Sequence, residues 1–158
     1  MSLEKSIFEK AMRYLVRREH SERELRQKLA LAYPEHPGEI EEALSQLKQA
    51  AYLDDQRFLE SRIRHRLQQG YGSTKISAEL EMHGLGKSEI LVALKIQQND
   101  DNTALQTLIQ KKFSQVNWQD SQQKNKAIGY LLRRGFPFEE IKQALPVASD
   151  RFPPAFPD

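Results

Sequence analysis

The sequence predicts an all-α protein made of three tandem three-helix repeats. Apolar residues recur at the three-and-four spacing of amphipathic helices, and no segment shows the strict alternation of a half-buried strand. The apolar positions also recur at an interval of 51 residues. This interval relates Ile7 to Phe58 and Ile109, Leu25 to Ile76 and Ala127, and Leu29 to Leu80 and Leu131. Repeats of this size bury little core alone, so we expect them to share apolar surface in an elongated stack that allows curvature.

The same interval predicts where each repeat begins and ends. We expect the first helix-turn-helix-like repeat over residues 1–53, the second over 54–99 and the third over 100–145. Residues 146–158 contain four prolines, and proline cannot continue a helix. We therefore expect these residues to form an extended, Pro-rich C-terminal tail.

The first repeat carries clear helix boundaries. Its first helix is predicted over residues 3–17 from the apolar spacing. Ser21 and Glu24 form a capping box, in which hydroxyl and carboxylate bond to each other's backbone N–H groups, so a second helix starts there. This helix ends near Pro34, and Pro37 suits the first position of a third helix.

The second repeat opens with the acidic pair at residues 54–55, ahead of an amphipathic run. A carboxylate at this position accepts free backbone N–H groups, so the pair predicts the start of a fourth helix. The Gly-Tyr-Gly sequence at residues 70–72 ends that helix, because glycine adopts positive φ at little cost. Ser73 is the predicted cap of a fifth helix, which ends at Gly84, and a sixth helix is predicted over residues 87–98.

The third repeat is predicted to follow a polar break at residues 99–102. A seventh helix then carries apolar residues as far as Phe113. Asn117 is the predicted cap of an eighth helix, which runs to about Arg134. Pro137 opens a ninth helix.

The charge of the chain is small in total but unevenly distributed. The net charge is +2, yet residues 10–28 carry seven Lys and Arg against three Glu. Residues 35–42 carry four Glu and no Lys or Arg, and residues 111–134 carry six Lys and Arg against one Asp. Charges segregated in this way form basic faces on a near-neutral chain, although solvated helix faces explain the same pattern.

Enzymatic chemistry has little support. The histidines are His20, His36, His65 and His83. None lies three or four residues from another, so no metal motif is present and we expect surface or loop positions. Neighbouring helix residues such as the acidic pair point apart, which favours a cap over an acid–base pair. The Gly-Tyr-Gly turn lacks the strand and third glycine of a nucleotide site. We expect a non-enzyme without cofactor or metal.

The composition indicates a cytoplasmic protein. No run of about 18 apolar residues exists, as a membrane span would require. The N-terminal residues carry charges throughout and lack the apolar centre of a secretory signal. The chain has no cysteine, which excludes disulfides and thiolate metal ligands together.

The fourth helix carries a basic face. Arg57 and Arg64 lie seven residues apart, and Gln68 continues the same face. In the first helix, Arg13 and Arg17 lie on the polar side at a spacing of four. Such faces suit the phosphate backbone of DNA. The alternative is that nearby glutamates pair with these arginines, at about a few tenths of a kcal/mol per pair.

The eighth helix places an aromatic ring between two cations. Lys126, Tyr130 and Arg133 lie at a spacing of four and three, an arrangement that contacts phosphates and stacks on a base. Contact dominated by phosphates depends little on base sequence. The predicted contact residues for DNA or a DNA-bound protein are Arg13, Arg17, Arg57, Arg64, Lys75, Lys126, Tyr130 and Arg133.

Short motifs also follow one another in a specific order. In the second repeat they are Tyr52-Leu53-Asp54-Asp55, Arg57-Phe58, Gly70-Tyr71-Gly72, Ile76, Leu80 and Gly84. In the first repeat they are Ala11, Tyr14-Leu15, Arg17-Arg18, His20-Ser21, Glu24-Leu25 and Lys28-Leu29. This set resembles the RecX family, the regulators of the bacterial recombinase RecA, and the resemblance covers residues 7–145. The third repeat departs from it by lacking the acidic pair and the Gly-aromatic-Gly turn.

The resemblance implies a regulator that binds along the RecA–DNA filament, limits its extension or promotes its disassembly, and damps recombinase, ATPase and co-protease activity. The implied partners are the RecA filament and, weakly and salt-sensitively, single- and double-stranded DNA, with no membrane and no small-molecule substrate. The alternative is a stand-alone DNA-binding protein of helix-turn-helix type. Three unequal repeats offer three different surfaces where a repressor uses one recognition helix per protomer, and this favours the filament regulator.

Overall fold

The computed structural model confirms the predicted all-α class. It describes residues 2–146, without the side chains of residues 98–101, and this part of the chain contains no strand. The helices are α1 (Leu3–Arg17), α2 (Glu22–Ala32), α3 (Pro37–Gln49), α4 (Asp55–Gln68), α5 (Ser73–Met82), α6 (Lys87–Ile96), α7 (Gln98–Lys112), α8 (Ser121–Arg133) and α9 (Phe138–Ala144). The tail prediction for residues 147–158 lies outside the described residues.

The chain divides into two compact units. The N-terminal unit comprises Met1–Arg62 with Leu80–Ile90, and the C-terminal unit comprises Ile63–Glu79 with the chain from Leu91 onward. Both units draw residues from the predicted second repeat. The boundaries proposed for the three repeats, and their elongated stacking, stay predictions.

The core of the N-terminal unit forms where the apolar spacing predicts it. Ile7 and Ala11 of α1 are fully buried against α2 and α3. The buried cluster comprises Ile7, Ala11, Leu25, Leu29, Ile40, Ala43, Leu44, Leu47 and Leu53. Burial of apolar side chains on this scale is the main favourable contribution to folding, at about 1.5–3 kcal/mol for each large side chain.

The acidic pair caps two different helices. The Oδ1 atom of Asp54 accepts hydrogen bonds from the backbone N–H groups of Gln56 at 2.8 Å and Arg57 at 3.2 Å, at the start of α4. The Oδ1 atom of Asp55 accepts one at 2.8 Å from the N–H of Glu22, the first residue of α2. The pair therefore acts as a cap, as predicted, and also joins α4 to α2 within the N-terminal unit.

The capping box of α2 forms in part. The Ser21 hydroxyl accepts a hydrogen bond from the Glu24 N–H at 3.1 Å, as predicted. The Glu24 carboxylate does not return the bond, because it accepts two hydrogen bonds from the Arg18 guanidinium at 2.9 and 3.0 Å. Two parallel hydrogen bonds from a charged guanidinium are stronger than a single bond from a backbone N–H, which explains the exchange.

In the C-terminal unit, α7, α8 and α9 pack around a second core. Its buried residues are Leu105, Ile109, Ile128, Leu131, Phe136, Ile141 and Leu145. Leu108, Phe113, Trp118 and Tyr130 lie at its edge and are partly exposed.

Two predicted boundaries in this region are wrong. Residues 99–102 do not break the helical structure, because α7 already begins at Gln98. Asn117 does not cap α8: the Oδ1 atom of Asp120 accepts the Gln122 N–H at 3.0 Å and holds that position.

Candidate functional site

The Gly-Tyr-Gly turn is bound to the turn between α8 and α9. The backbone N–H of Gly72 donates to the Arg134 carbonyl oxygen at 2.8 Å, and the N–H of Thr74 donates to that of Gly135 at 2.9 Å. Residues at the start of α5 thus use carbonyl groups left free at the end of α8. The turn joins these two segments within the C-terminal unit.

Glycine is required at three positions of this contact, either by a positive φ or by close packing against backbone. Gly70 has a φ of +84°, the left-handed conformation predicted for the end of α4. Gly72 has no such φ but lies against backbone: a Cβ atom there would meet Gly135 and Phe136, with the Gly135 carbonyl oxygen at 2.6 Å. Gly135 combines both reasons, because its φ is +97° and a Cβ atom would lie 2.7 Å from the Lys75 N.

Arg134 closes the turn from the side. Its Nε atom donates to the Gly70 carbonyl oxygen at 3.0 Å, and its Nη2 atom donates to the Gln69 carbonyl oxygen. Its guanidinium carbon lies 4.0 Å from the ring centroid of Tyr71, a cation–π distance. The Nζ atom of Lys75 lies 5.3 Å from the same ring. Tyr71 is therefore held inside the C-terminal unit by cations.

A cleft of about 810 Å³ lies beside this turn, between the end of α4, α7 and α8. Among the residues whose side chains the structure describes, its lining contains four cations, namely Arg64, Lys111, Lys112 and Arg134, and no Asp or Glu. The remaining lining residues are Leu67, Gln68, Gln69, Gly70, Thr103, Ala104, Thr107, Leu108 and Tyr130. The cleft is cationic at its rim and apolar at its centre, so its chemistry suits an anion that also carries apolar groups.

Two of the predicted contact residues meet at this cleft. Arg64 is exposed at the end of α4, and Tyr130 is half-buried on α8. Base stacking on Tyr130 is constrained, because the Nζ atom of Lys112 lies 4.5 Å from its ring centroid. The Phe113 ring packs edge-on against Tyr130, with 5.5 Å between centroids.

Three further predicted residues lie elsewhere in the C-terminal unit. Lys126 and Arg133 are exposed on α8 and do not line the cleft. The Nζ atom of Lys75 lies 3.5 Å from the Arg133 carbonyl oxygen and also contacts the Tyr71 ring. Lys75 therefore supports the turn, whereas Lys126 makes no hydrogen bond or ion pair with the residues that the structure describes.

The remaining predicted residues belong to the N-terminal unit. Arg13 and Arg17 are exposed on the polar side of α1. Arg57 is engaged internally: its Nε atom donates to Glu19 at 3.1 Å, and its Nη atoms donate to the carbonyl oxygens of Ala51 and Tyr52 at 2.6 and 3.2 Å. Ala51 has a φ of +63°, so Arg57 stabilises a left-handed turn between α3 and α4.

Two arginines of α4 pair with glutamates on other segments of the chain. The Glu19 carboxylate forms an ion pair with the Nε atom of Arg57 at 3.1 Å, and the Glu60 carboxylate accepts a hydrogen bond from the Gln56 side-chain amide at 3.2 Å. Arg66 pairs with Glu79 of α5 at 2.8 Å, and this hydrogen bond raises the pKa of the guanidinium. Periodicity along one helix does not reveal partners on another helix.

Sequence reasoning missed Lys111, Lys112 and Thr107 as lining residues of the cleft. The excess of Lys and Arg over residues 111–134 was the available signal. The helix spacing of Lys111 and Thr107 places them on one face of α7, but only the packing of α7 beside α4 makes that face part of a cleft.

His20 lies in the loop between α1 and α2, one of the two predicted alternatives, but it is buried there, with only 2% of its surface exposed. Its Nδ1 atom lies 3.1 Å from the Arg18 carbonyl oxygen, and its Nε2 atom lies 2.9 Å from the Lys28 Nζ atom. Burial lowers the pKa of His20, with the Arg18 carbonyl opposing that shift. A neutral ring with Nδ1–H donating and Nε2 accepting satisfies both contacts.

The described residues contain no group of His, Cys, Asp and Glu side chains that could hold a metal ion. Within the same part of the chain, no helix combines the length and the apolar composition of a membrane span.

Comparison with protein families identifies three successive matches. They are the first three-helix domain of RecX at residues 8–47, the second at residues 54–94 and the third at residues 99–145. A protein named "Regulatory protein RecX" from Stenotrophomonas maltophilia (strain K279a) is 36% identical over 141 residues, covering 89% of this chain and 86% of that protein. One of the same name from Xanthomonas axonopodis pv. citri (strain 306) is 37% identical with the same coverage.

Solved structures share the fold. The crystal structure of RecX from Lactobacillus salivarius matches with a TM-score of 0.72 at 20% identity, covering 89% of this chain and 93% of that one. A second crystal structure of a regulatory protein RecX matches with a TM-score of 0.70 at 18% identity, covering 89% of this chain and 70% of that one.

Proposed function

The chain belongs to the RecX family, and from this premise we propose that it regulates the recombinase RecA, mainly as an inhibitor. On this proposal it binds the RecA–DNA filament in the cytoplasm, limits filament extension, and damps recombinase, ATPase and co-protease activity. It does so as a binding protein without catalytic chemistry of its own. The observation that carries the proposal is the family match across all three helical domains.

Exposed cations in both units support a DNA contribution. Arg13 and Arg17 on α1, and Lys126 and Arg133 on α8, point their charge to solvent and make no ion pair with the described residues. Lysine and arginine bind phosphates largely without regard to sequence, and the bound counterions that they displace make such binding salt-sensitive. We expect weak contact with single- and double-stranded DNA and stronger binding to a RecA-coated strand.

The first test is the DNA-dependent ATP hydrolysis of RecA from the same host, measured with increasing amounts of this protein. Inhibition at well below one molecule per RecA would support blocked extension of the filament. Inhibition that appears only near saturation of the DNA would indicate plain competition for the strand. No inhibition, combined with direct DNA binding, would replace the proposal with a stand-alone DNA-binding protein.

Two double variants test which of the exposed cations contact DNA. We expect Lys126→Ala/Arg133→Ala to weaken binding to DNA and to reduce its salt dependence, because two phosphate contacts are removed. Arg13→Ala/Arg17→Ala tests α1 in the same assay. Unchanged DNA binding in both double variants would mean that these residues form solvated helix surfaces and do not contact DNA.

A further inference from the structure

The cleft of the C-terminal unit differs from the exposed basic helices, because its centre is aliphatic. Leu67 is buried at its base, and Ala104 and Leu108 are half-buried beside it. Thr103 and Thr107 add methyl groups from α7. The volume of about 810 Å³ lies within the range of pockets that enclose a drug-sized ligand or several side chains.

Cations surround this aliphatic centre. Lys111 and Lys112 lie on α7, Arg64 lies on α4 and Arg134 directly follows α8, and the described side chains of the lining include no carboxylate. Arg134 is occupied by carbonyl groups and by Tyr71. Arg64 and Lys111 are exposed and make no hydrogen bond or ion pair with the described residues, so they can meet negative charge on a partner.

The lining favours peptide over nucleic acid. Proteins that hold single strands present aromatic faces on which bases stack. Tyr130 is the aromatic residue of this lining, and Lys112 lies over its ring at 4.5 Å. Leucine, alanine and threonine methyl groups instead match the apolar side chains of an amphipathic helix or strand, as in helix-in-groove recognition.

We propose that this cleft binds an amphipathic acidic segment of the protein partner, with apolar side chains against Leu67, Ala104 and Leu108 and carboxylates beside Arg64 and Lys111. The assignment rests on the proposed function, because the partner is the protein coat of the filament. It separates two surfaces: the cleft contacts protein, and the exposed cations of α1 and α8 contact DNA. Charge complementarity and the aliphatic centre select this occupant.

The test fills the cleft without changing its charge. Thr107→Trp places a large side chain at the exposed α7 wall, and Gln110→Trp places the same side chain on α7 outside the lining. Two quantities are measured for each: half-maximal inhibition of the RecA ATPase, and affinity for fluorescein-labelled oligothymidylate without RecA. Circular dichroism confirms that both variants remain helical.

We expect Thr107→Trp to raise the concentration for half-maximal inhibition by roughly tenfold or more, as loss of a central interface contact does. Its affinity for oligothymidylate should stay within about twofold, because no phosphate-binding charge is removed. Gln110→Trp should leave both unchanged. Equal weakening of inhibition and DNA affinity by Thr107→Trp would assign the cleft to nucleic acid and overturn the proposal.

A second variant checks the charge. Arg64→Glu/Lys111→Glu should weaken inhibition by at least as much as Thr107→Trp, because it places carboxylates against an acidic segment. Inhibition unchanged in both variants would show that the cleft is not a docking site. A wild-type protein that binds oligothymidylate but never inhibits RecA would instead end the proposed function itself, which is a distinguishable result.

Discussion

The two compact units contain equal numbers of Lys and Arg but differ in acidic residues. The N-terminal unit has twelve Lys and Arg against fourteen Asp and Glu, a net charge of −2. The C-terminal unit has twelve against eight, a net charge of +4. The total of +2 conceals this division. A near-neutral chain can therefore carry one unit suited to anionic partners.

The units also use their cations differently. In the N-terminal unit, ion pairs join Arg18 to Glu24, Arg26 to Glu22 and Glu41, Lys48 to Glu22, and Arg57 to Glu19. In the C-terminal unit, Arg66 pairs with Glu79, whereas Lys112 lies against the Tyr130 ring and Arg134 against the Tyr71 ring. A cation beside a neutral partner is not neutralised by a carboxylate, which agrees with the positive net charge of the C-terminal unit. Exposed cations remain candidates for binding in both units, namely Arg13 and Arg17 in the first and Lys126 and Arg133 in the second.

The largest expected effect on stability comes from comparing two glycines, one packed against backbone in the C-terminal unit and one in open space in the N-terminal unit. We expect Gly72→Ala to lower the free energy of unfolding by about 3 kcal/mol, because the added Cβ atom meets the backbone of Gly135 and Phe136. Urea unfolding followed by far-UV circular dichroism, which reports on the helices of both units, measures the change.

Gly38→Ala is the matched control. A Cβ atom at Gly38 in α3 would meet no atom within 4 Å. Alanine also forms helices better than glycine, so this variant should be neutral or more stable, by at most about 1 kcal/mol. Equal stability of the two variants would mean that the close contact at Gly72 does not persist in solution.

The next largest effect on stability compares Arg134, which donates hydrogen bonds to two carbonyl groups, with Arg26, which forms ion pairs near the surface. Arg134→Ala should lower the free energy of unfolding by about 2 kcal/mol, because two backbone hydrogen bonds and the contact with Tyr71 are lost. Arg26→Ala should cost less than about 1 kcal/mol, since Arg26 and Glu41 are largely accessible to solvent and Glu22 is partly so. Arg134→Lys serves as the control for charge, and recovery of full stability by lysine would contradict the role of the planar guanidinium.

The sequence predicted the helices well because they depend on local signals. Apolar spacing placed α1 at Leu3–Arg17, and the acidic pair marked the start of α4. The boundary before α7 was missed because polar residues indicate a loop and a helix N-terminus equally well. Local patterns could not reveal that Gly72 is needed for contact with the α8–α9 turn, since the contacting residues lie more than 60 positions away.

The candidate site was predictable as a set of basic faces but not as a cleft. Arg57 and Arg64 share one face of α4, yet one is bound to Glu19 and two carbonyl groups while the other lines the cleft. Helix periodicity determines the direction of a side chain, whereas its partner depends on the packing of distant elements. The same limit applies to Lys111, whose neighbours across the cleft belong to another helix.

This difference along α4 is itself testable. Arg57→Ala should lower the free energy of unfolding by about 1 kcal/mol, whereas Arg64→Ala should change it by less than about 0.5 kcal/mol. Inhibition of the RecA ATPase should show the reverse order, with the larger loss in Arg64→Ala. If Arg57→Ala were as stable as the wild type and as impaired in inhibition as Arg64→Ala, the two arginines would share the functional role predicted from periodicity.

The smallest expected effect is a pH dependence in the N-terminal unit. The pKa of His20 is lowered by burial, so the folded state binds fewer protons than the unfolded state, whose pKa is near 6.5. Stability should therefore fall as the pH decreases through about 6.5 toward the folded pKa. Glu24 does not contribute to this change in stability. Burial raises its pKa, but the hydrogen bonds from Arg18 outweigh burial, so the pKa lies below 4.5 and Glu24 stays ionised between about pH 7.5 and 5.5. Urea midpoints compared between wild type and His20→Gln test this, and the variant should lose the slope. An equal slope in both proteins would show that His20 is not the group that titrates.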